Sequence, residues 1–84
     1  MSIKQHIINK KLNSITPQEL LNLANQNNFQ ISTAQAVQLA GLLHGKNINI
    51  FDSSARINLL KQVAKITNTS TAQKVNEMFM EFMK

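Results

Sequence analysis

The side chains that could do chemistry in this sequence are few and scattered. His6 and His44 are its histidines, and neither has a second His or a carboxylate three or four residues away. A metal site needs about three or four ligands at converging spacings, so the pattern points to no metal. The acids are Glu19, Asp52, Glu77 and Glu81. Glu77 and Glu81 stand one helical turn apart beside Lys74, on a face that reads as solvated. Acid/base work by paired carboxylates needs them converging and partly buried. Serines and threonines cluster where helix capping explains them, with no base placed to activate one as a nucleophile. Cysteine is absent, which removes thiolate chemistry, disulfides and Cys-type zinc or iron–sulfur sites. The expectation is no enzyme, no catalytic residues, no cofactor and no metal.

Two groupings survive as candidate binding residues. Lys46 leads into Asp52-Ser53-Ser54-Ala55-Arg56, a helix start flanked by a lysine and the only arginine. Free N–H groups and the macrodipole make a helix N-terminus receptive to anions, so Lys46, Ser53, Ser54 and Arg56 form a candidate anion or partner contact. Asp52 places a negative charge on that spot, and pairing of Arg56 with Asp52, or with an acid elsewhere, is the competing reading. The second grouping is Met80 and Met83. Core packing accounts for Met78 and Phe82, which leaves these two as a candidate apolar docking surface on a soft, adaptable helix end.

Charge adds a weak pointer. The net charge is +5, with a pI near 10.0. That permits contact with nucleic acid or an acidic partner. Charged residues are only 15% of the chain, and the lysines before the final Lys84 (Lys4, Lys10, Lys11, Lys46, Lys61, Lys65, Lys74) do not gather into a stripe. A helix-turn-helix reading of the second and third helices fails on the same ground: the would-be recognition helix has no Lys or Arg and reads as core.

The elements that must carry these residues announce themselves through caps. Thr16-Pro17-Gln18-Glu19 puts a capping hydroxyl, a proline at the first helical position and a glutamate at N3, with Ile15 and Leu20 as a hydrophobic staple. Ser32-Thr33-Ala34-Gln35 reads as a second capping box, Ser70-Thr71-Ala72-Gln73 as a third, and Asp52 as a further N-cap. Asn27-Asn28 and Gly45 supply stops. These signals predict an all-α fold, a compact bundle of about five short helices without a sheet, over 3–13, 17–27, 33–44, 53–66 and 71–83. The chain reads as a single helical domain, 1–84.

Periodicity ranks the helices. The third has no charge, reads as central, and contains Gly41, which would let a neighbour approach closely. The fourth is apolar through Ile57, Leu59, Leu60, Val63, Ala64 and Ile66, and the fifth through Val75, Met78, Phe79 and Phe82. The first is ambiguous, because Lys4 and Lys11 interrupt the arc between Ile3/Ile7 and Ile8/Leu12. Lys46-Asn47-Ile48-Asn49-Ile50-Phe51 alternates polar and apolar but has no partner strand. It reads as an extended connector whose Ile48, Ile50 and Phe51 plug the core. No signal-peptide core and no apolar run of about 18 residues is present, which points to the cytoplasm.

Gly45-Lys46-Asn47-Ile48-Asn49-Ile50-Phe51-Asp52, Ala64-Lys65-Ile66-Thr67, and the opening from Ile7 through Leu12 to Thr16-Pro17-Gln18-Glu19-Leu20-Leu21 resemble a family of short proteins from low-GC Gram-positive bacteria. The family is known as a domain of unknown function, and the resemblance spans nearly the whole chain. It implies a cytoplasmic bacterial protein without an assigned activity and carries over no functional residue. The leading expectation is a small non-catalytic protein-interaction module that binds an unknown protein partner or itself. The alternative is a nucleic-acid-binding accessory protein.

Overall fold

The computed structural model describes residues 3–83, which form five α-helices: α1 (Ile3–Leu12), α2 (Pro17–Gln26), α3 (Thr33–Leu43), α4 (Ser53–Ile66) and α5 (Thr69–Phe82). No strand occurs among the described residues. Residues 46–51 are a non-helical connector, as their alternation predicted.

Local chemistry sets most boundaries. Both halves of the capping box are made at Thr16–Glu19 and at Ser32–Gln35. Asp52 caps α4 by accepting from the Ala55 N–H at 2.9 Å. Asn28 adopts the left-handed conformation after α2, with φ 61°. One start differs from expectation. The capping box expected at Ser70 is not used; Asn68 caps α5, its Oδ1 accepting from the Thr71 N–H at 2.7 Å. Asn is as good a cap as Ser, and the earlier start turns Thr71 and Ala72 inward, where both are buried.

Helices α2 and α3 pack as one pair and α4 and α5 as another, and α3 against α4 joins them. Leu20, Phe29, Leu39, Leu43, Leu59, Val63, Val75, Met78 and Phe79 fill the space between. Ala36 is fully buried, which fits the central role expected of α3. Gly41 does not have the expected close neighbour: a side chain there would point into open space. Ile57 also departs from its predicted apolar face and is half exposed.

The connector is held by α1. Ile50 is 0% exposed, the largest fully buried side chain, and Ile48 and Phe51 pack half-buried beside it. Its backbone has no strand to pair with, so two asparagines one turn apart supply the partners. Asn13 accepts from the Ile48 N–H through Oδ1 and donates to the Ile48 carbonyl through Nδ2, both at 2.8 Å. Asn9 Oδ1 accepts from the Ile50 N–H at 3.1 Å, while its Nδ2 donates to Asn49 Oδ1 at 2.8 Å. Gly45, at φ 73°, donates its N–H to the Asn13 carbonyl at 3.1 Å. A buried backbone group without a partner costs about 1–3 kcal/mol. The pair therefore takes over what a neighbouring strand would do. No other helix lies extensively along α1, which is anchored by this clamp and by buried Leu12 and Ile15.

Candidate functional site

Anchoring α1 by its asparagine side decides what its other side presents. Ile7 and Ile8 lie on the flank away from the connector, with Lys4 and Lys11 one turn to either side, so four residues at i, i+3, i+4 and i+7 share one stripe. The capping box at Thr16 fixes the start of α2 and lays a matching stripe opposite: Glu19, Asn22, Leu23 and Gln26. Between them runs a groove of about 440 Å³, lined also by the buried Leu12 and Ile15 and by Phe82 of α5. Ile7 is 60% exposed beside it and Ile3, one turn earlier, is 81% exposed.

The rim is electrostatically settled. Lys11 Nζ meets Glu19 Oε2 at 2.9 Å, tying α1 to α2. Glu19 Oε1 also accepts from the Thr16 N–H and hydroxyl, each at 3.0 Å. The Lys11 ammonium first, and the two Thr16 bonds after it, hold the Glu19 carboxyl below its ordinary value. Asn22 Oδ1 accepts from Gln18 at 3.2 Å. The groove thus offers apolar surface with its nearby polar atoms largely committed to one another. It has the size of a small-ligand pocket, for which ~300–1,000 Å³ is usual, but lacks the convergent polar groups that orient such a ligand.

A second cleft, about 260 Å³, opens on the opposite flank of α1 between His6, Asn9, Lys10, Asn13 and Asn47–Asn49. Asn9 and Asn13 are the clamp, and their amides are spent on the connector. A third, lined by Asn28, Gln30, Asn68, Ser70 and Lys74 around Phe29, lies where the turn after α2 meets the start of α5. Among the described residues no three of His, Cys, Asp or Glu come together to hold a metal ion.

The residues singled out by sequence lie elsewhere. Ser53, Ser54 and Lys46 are exposed. Arg56 is half-buried and turned toward its own chain, with Nη1 donating to the Ile50 carbonyl at 3.1 Å and lying 4.0 Å from Met83 Sδ. That places Met83 in contact with Arg56, while Met80 is exposed at 47%. The four anion candidates are thus divided between solvent and a backbone contact, and the two methionines have different surroundings. Sequence reasoning did not single out Ile7, Ile8, Leu23 and Phe82 as a site. The signal for it was the split arc of α1, whose isoleucines divide between two directions when one of them must face away from the core.

The family described as "Protein of unknown function (DUF2624)" matches residues 1–83. A Bacillus subtilis (strain 168) protein named "Uncharacterized protein YqfT" is 48% identical over 82 residues, covering 98% of each chain. No solved structure matches this chain.

Proposed function

We propose that this chain, which belongs to the DUF2624 family of proteins of unknown function, is a non-catalytic interaction module that seats an apolar segment of a protein partner in the groove between α1 and α2. The observation that carries this reading is the groove itself. The fold spends the polar flank of α1 on its own connector and leaves Ile7 with 60% of its surface in water beside a cleft of about 440 Å³. Burying apolar surface there yields roughly 25 cal/mol per Å², the term that dominates most protein association. Ile7, Ile8 and Leu23 are the anchors such a segment would cover. The titratable side chains on the groove wall, Lys11 and Glu19, are paired with each other at 2.9 Å, and the reading asks no chemistry of them.

A photo-crosslinking amino acid placed at Asn22, on the groove wall, and at Gln62, exposed on α4, tests it in cells that make the chain. The expected result is one defined protein adduct from position 22 and none from position 62, with the first abolished by Ile7→Ser. Equal adducts from both positions, or none from either, would overturn the reading.

A further inference from the structure

We infer that the polar cleft on the clamped flank of α1 binds a phosphate group, independently of what fills the groove on the other flank. The clamp itself decides which side chains stand there. His6, Asn9, Lys10 and Asn13 follow at i, i+3, i+4 and i+7 and share one side of the helix. Tying Asn9 and Asn13 to the connector therefore brings His6 and Lys10 alongside it, where with Asn47 and Asn49 they line an open cleft of about 260 Å³. Both basic side chains are exposed, and neither enters an ion pair among the described residues. No acid lines the cleft, and walls of one sign focus the field on an opposite charge.

The remaining donors match a phosphate. Asn49 uses its Oδ1 twice, for Asn9 Nδ2 at 2.8 Å and the Phe51 N–H at 3.0 Å, which leaves its Nδ2 hydrogens to a ligand. Asn47 stands exposed on a left-handed backbone, φ 53°, and its side chain takes no part in the clamp. His6 offers an N–H in either protonation state and Lys10 an ammonium. The carbonyls at the end of α1, which would repel an anion, are covered. Asn13 donates to the Asn9 carbonyl from its N–H at 2.9 Å and its Nδ2 at 2.7 Å, and Ser14 Oγ donates to the Lys10 carbonyl at 2.9 Å. A carboxylate is best gripped by the planar fork of an arginine, and Arg56 is engaged at the Ile50 carbonyl. Point donors spread around a cleft suit a tetrahedral group of nearly double charge instead. A cleft just under the ~300–1,000 Å³ of whole-ligand pockets takes that group and leaves the rest of its molecule outside.

The test is amide NMR on the isotope-labelled full chain, titrated at constant ionic strength with inorganic phosphate, glycerol phosphate and acetate. The expected result is saturable shifts confined to the His6–Asn13 and Asn47–Asn49 segments for both phosphates. Affinity should fall roughly tenfold or more in Lys10→Gln and in His6→Gln, and stay unchanged in Lys61→Gln on α4. Circular dichroism melts show that these surface variants remain folded. Tighter binding of glycerol phosphate identifies an ester as the ligand, and binding no tighter than that of inorganic phosphate identifies the free ion; either upholds the site. Acetate binding as strongly as phosphate would overturn the choice of ligand. Shifts that never saturate, that spread equally to Lys61, Lys65 and Lys74, or that survive both cleft substitutions would overturn the site and leave only general attraction to a +5 chain.

Discussion

On one flank of α1, Asn9 and Asn13 reach the backbone of Ile48 and Ile50 and close over a side chain that no water touches. On the other flank, Ile7 and Ile8 line an open groove together with Phe82 of α5. One helix of ten residues thus buries the polar Asn9 alongside Leu12 and exposes the apolar Ile3 and Ile7, a partial reversal of an ordinary amphipathic helix. The reversal has a physical cause on the buried side. A connector without a strand partner needs side-chain amides, and an asparagine carries both donor and acceptor. On the other side Ile8 still packs against the core, whereas Ile7 is left 60% exposed, so Ile7 and the clamp should respond very differently to substitution.

The largest effect belongs to the clamped flank. Ile50→Ala empties a fully buried site and should cost about 2–5 kcal/mol, read as a loss in Tm on the order of 10 °C or more for a domain of this size. Total stability at this length is roughly 4–12 kcal/mol, so this variant approaches unfolding. Next comes Asn9→Leu, which strands the Ile50 N–H in an apolar setting and should cost about 1–3 kcal/mol. Urea unfolding measures both. If Asn9→Leu is neutral, the clamp is replaceable by packing, and the contrast between the flanks is lost.

The sequence carried the flanks unequally. Caps are local, so the starts of α2, α3 and α4 were readable from residues three apart. The one misplaced start, at Ser70, arose because Asn68 offered an equally good cap two residues earlier. Ile50 as a core plug was readable from the alternation of its segment. Its partners were not: Asn9 and Asn13 act across 35 to 41 residues, and no local pattern names the far end of such a bond. Gly41 and Ile57 were misjudged because helical periodicity gives the direction of a side chain but not what stands opposite it: Gly41 meets open space and Ile57 is half exposed. The groove needs three elements at once, α1, α2 and the last turn of α5. Only the split arc of isoleucines in α1 hinted at it.

The groove flank should tolerate what the clamp does not. Ile7→Ser, at a site 60% exposed, should change stability by no more than about 0.5 kcal/mol, a shift below ~4 °C in Tm. It should nonetheless abolish groove-dependent binding. A loss of stability matching that of Asn9→Leu would mean that Ile7 is a core residue of the isolated chain, and the functional reading of the exposed flank would go with it.

The smallest effect sharpens the comparison at the rim. Lys11 and Thr16 hold the Glu19 carboxyl below its ordinary value of 4.5, so the folded chain favours the ionised form. A lowered folded value means that the contribution is fully present above 4.5, declines as the pH falls below it, and is gone below the folded value. Wild type should therefore melt slightly above Glu19→Gln near neutral pH, and the gap should close as the pH is taken well below 4.5. Glutamine preserves the capping-box geometry at N3, so what closes is the charge pairing with Lys11. The pair is surface-exposed, and salt should close the same gap at neutral pH. A gap that survives both acid and salt would assign the effect to the cap of α2 rather than to the bridge. In that case α1 would be held to the body by its asparagine flank and its buried Leu12 and Ile15, with no electrostatic tie across the groove.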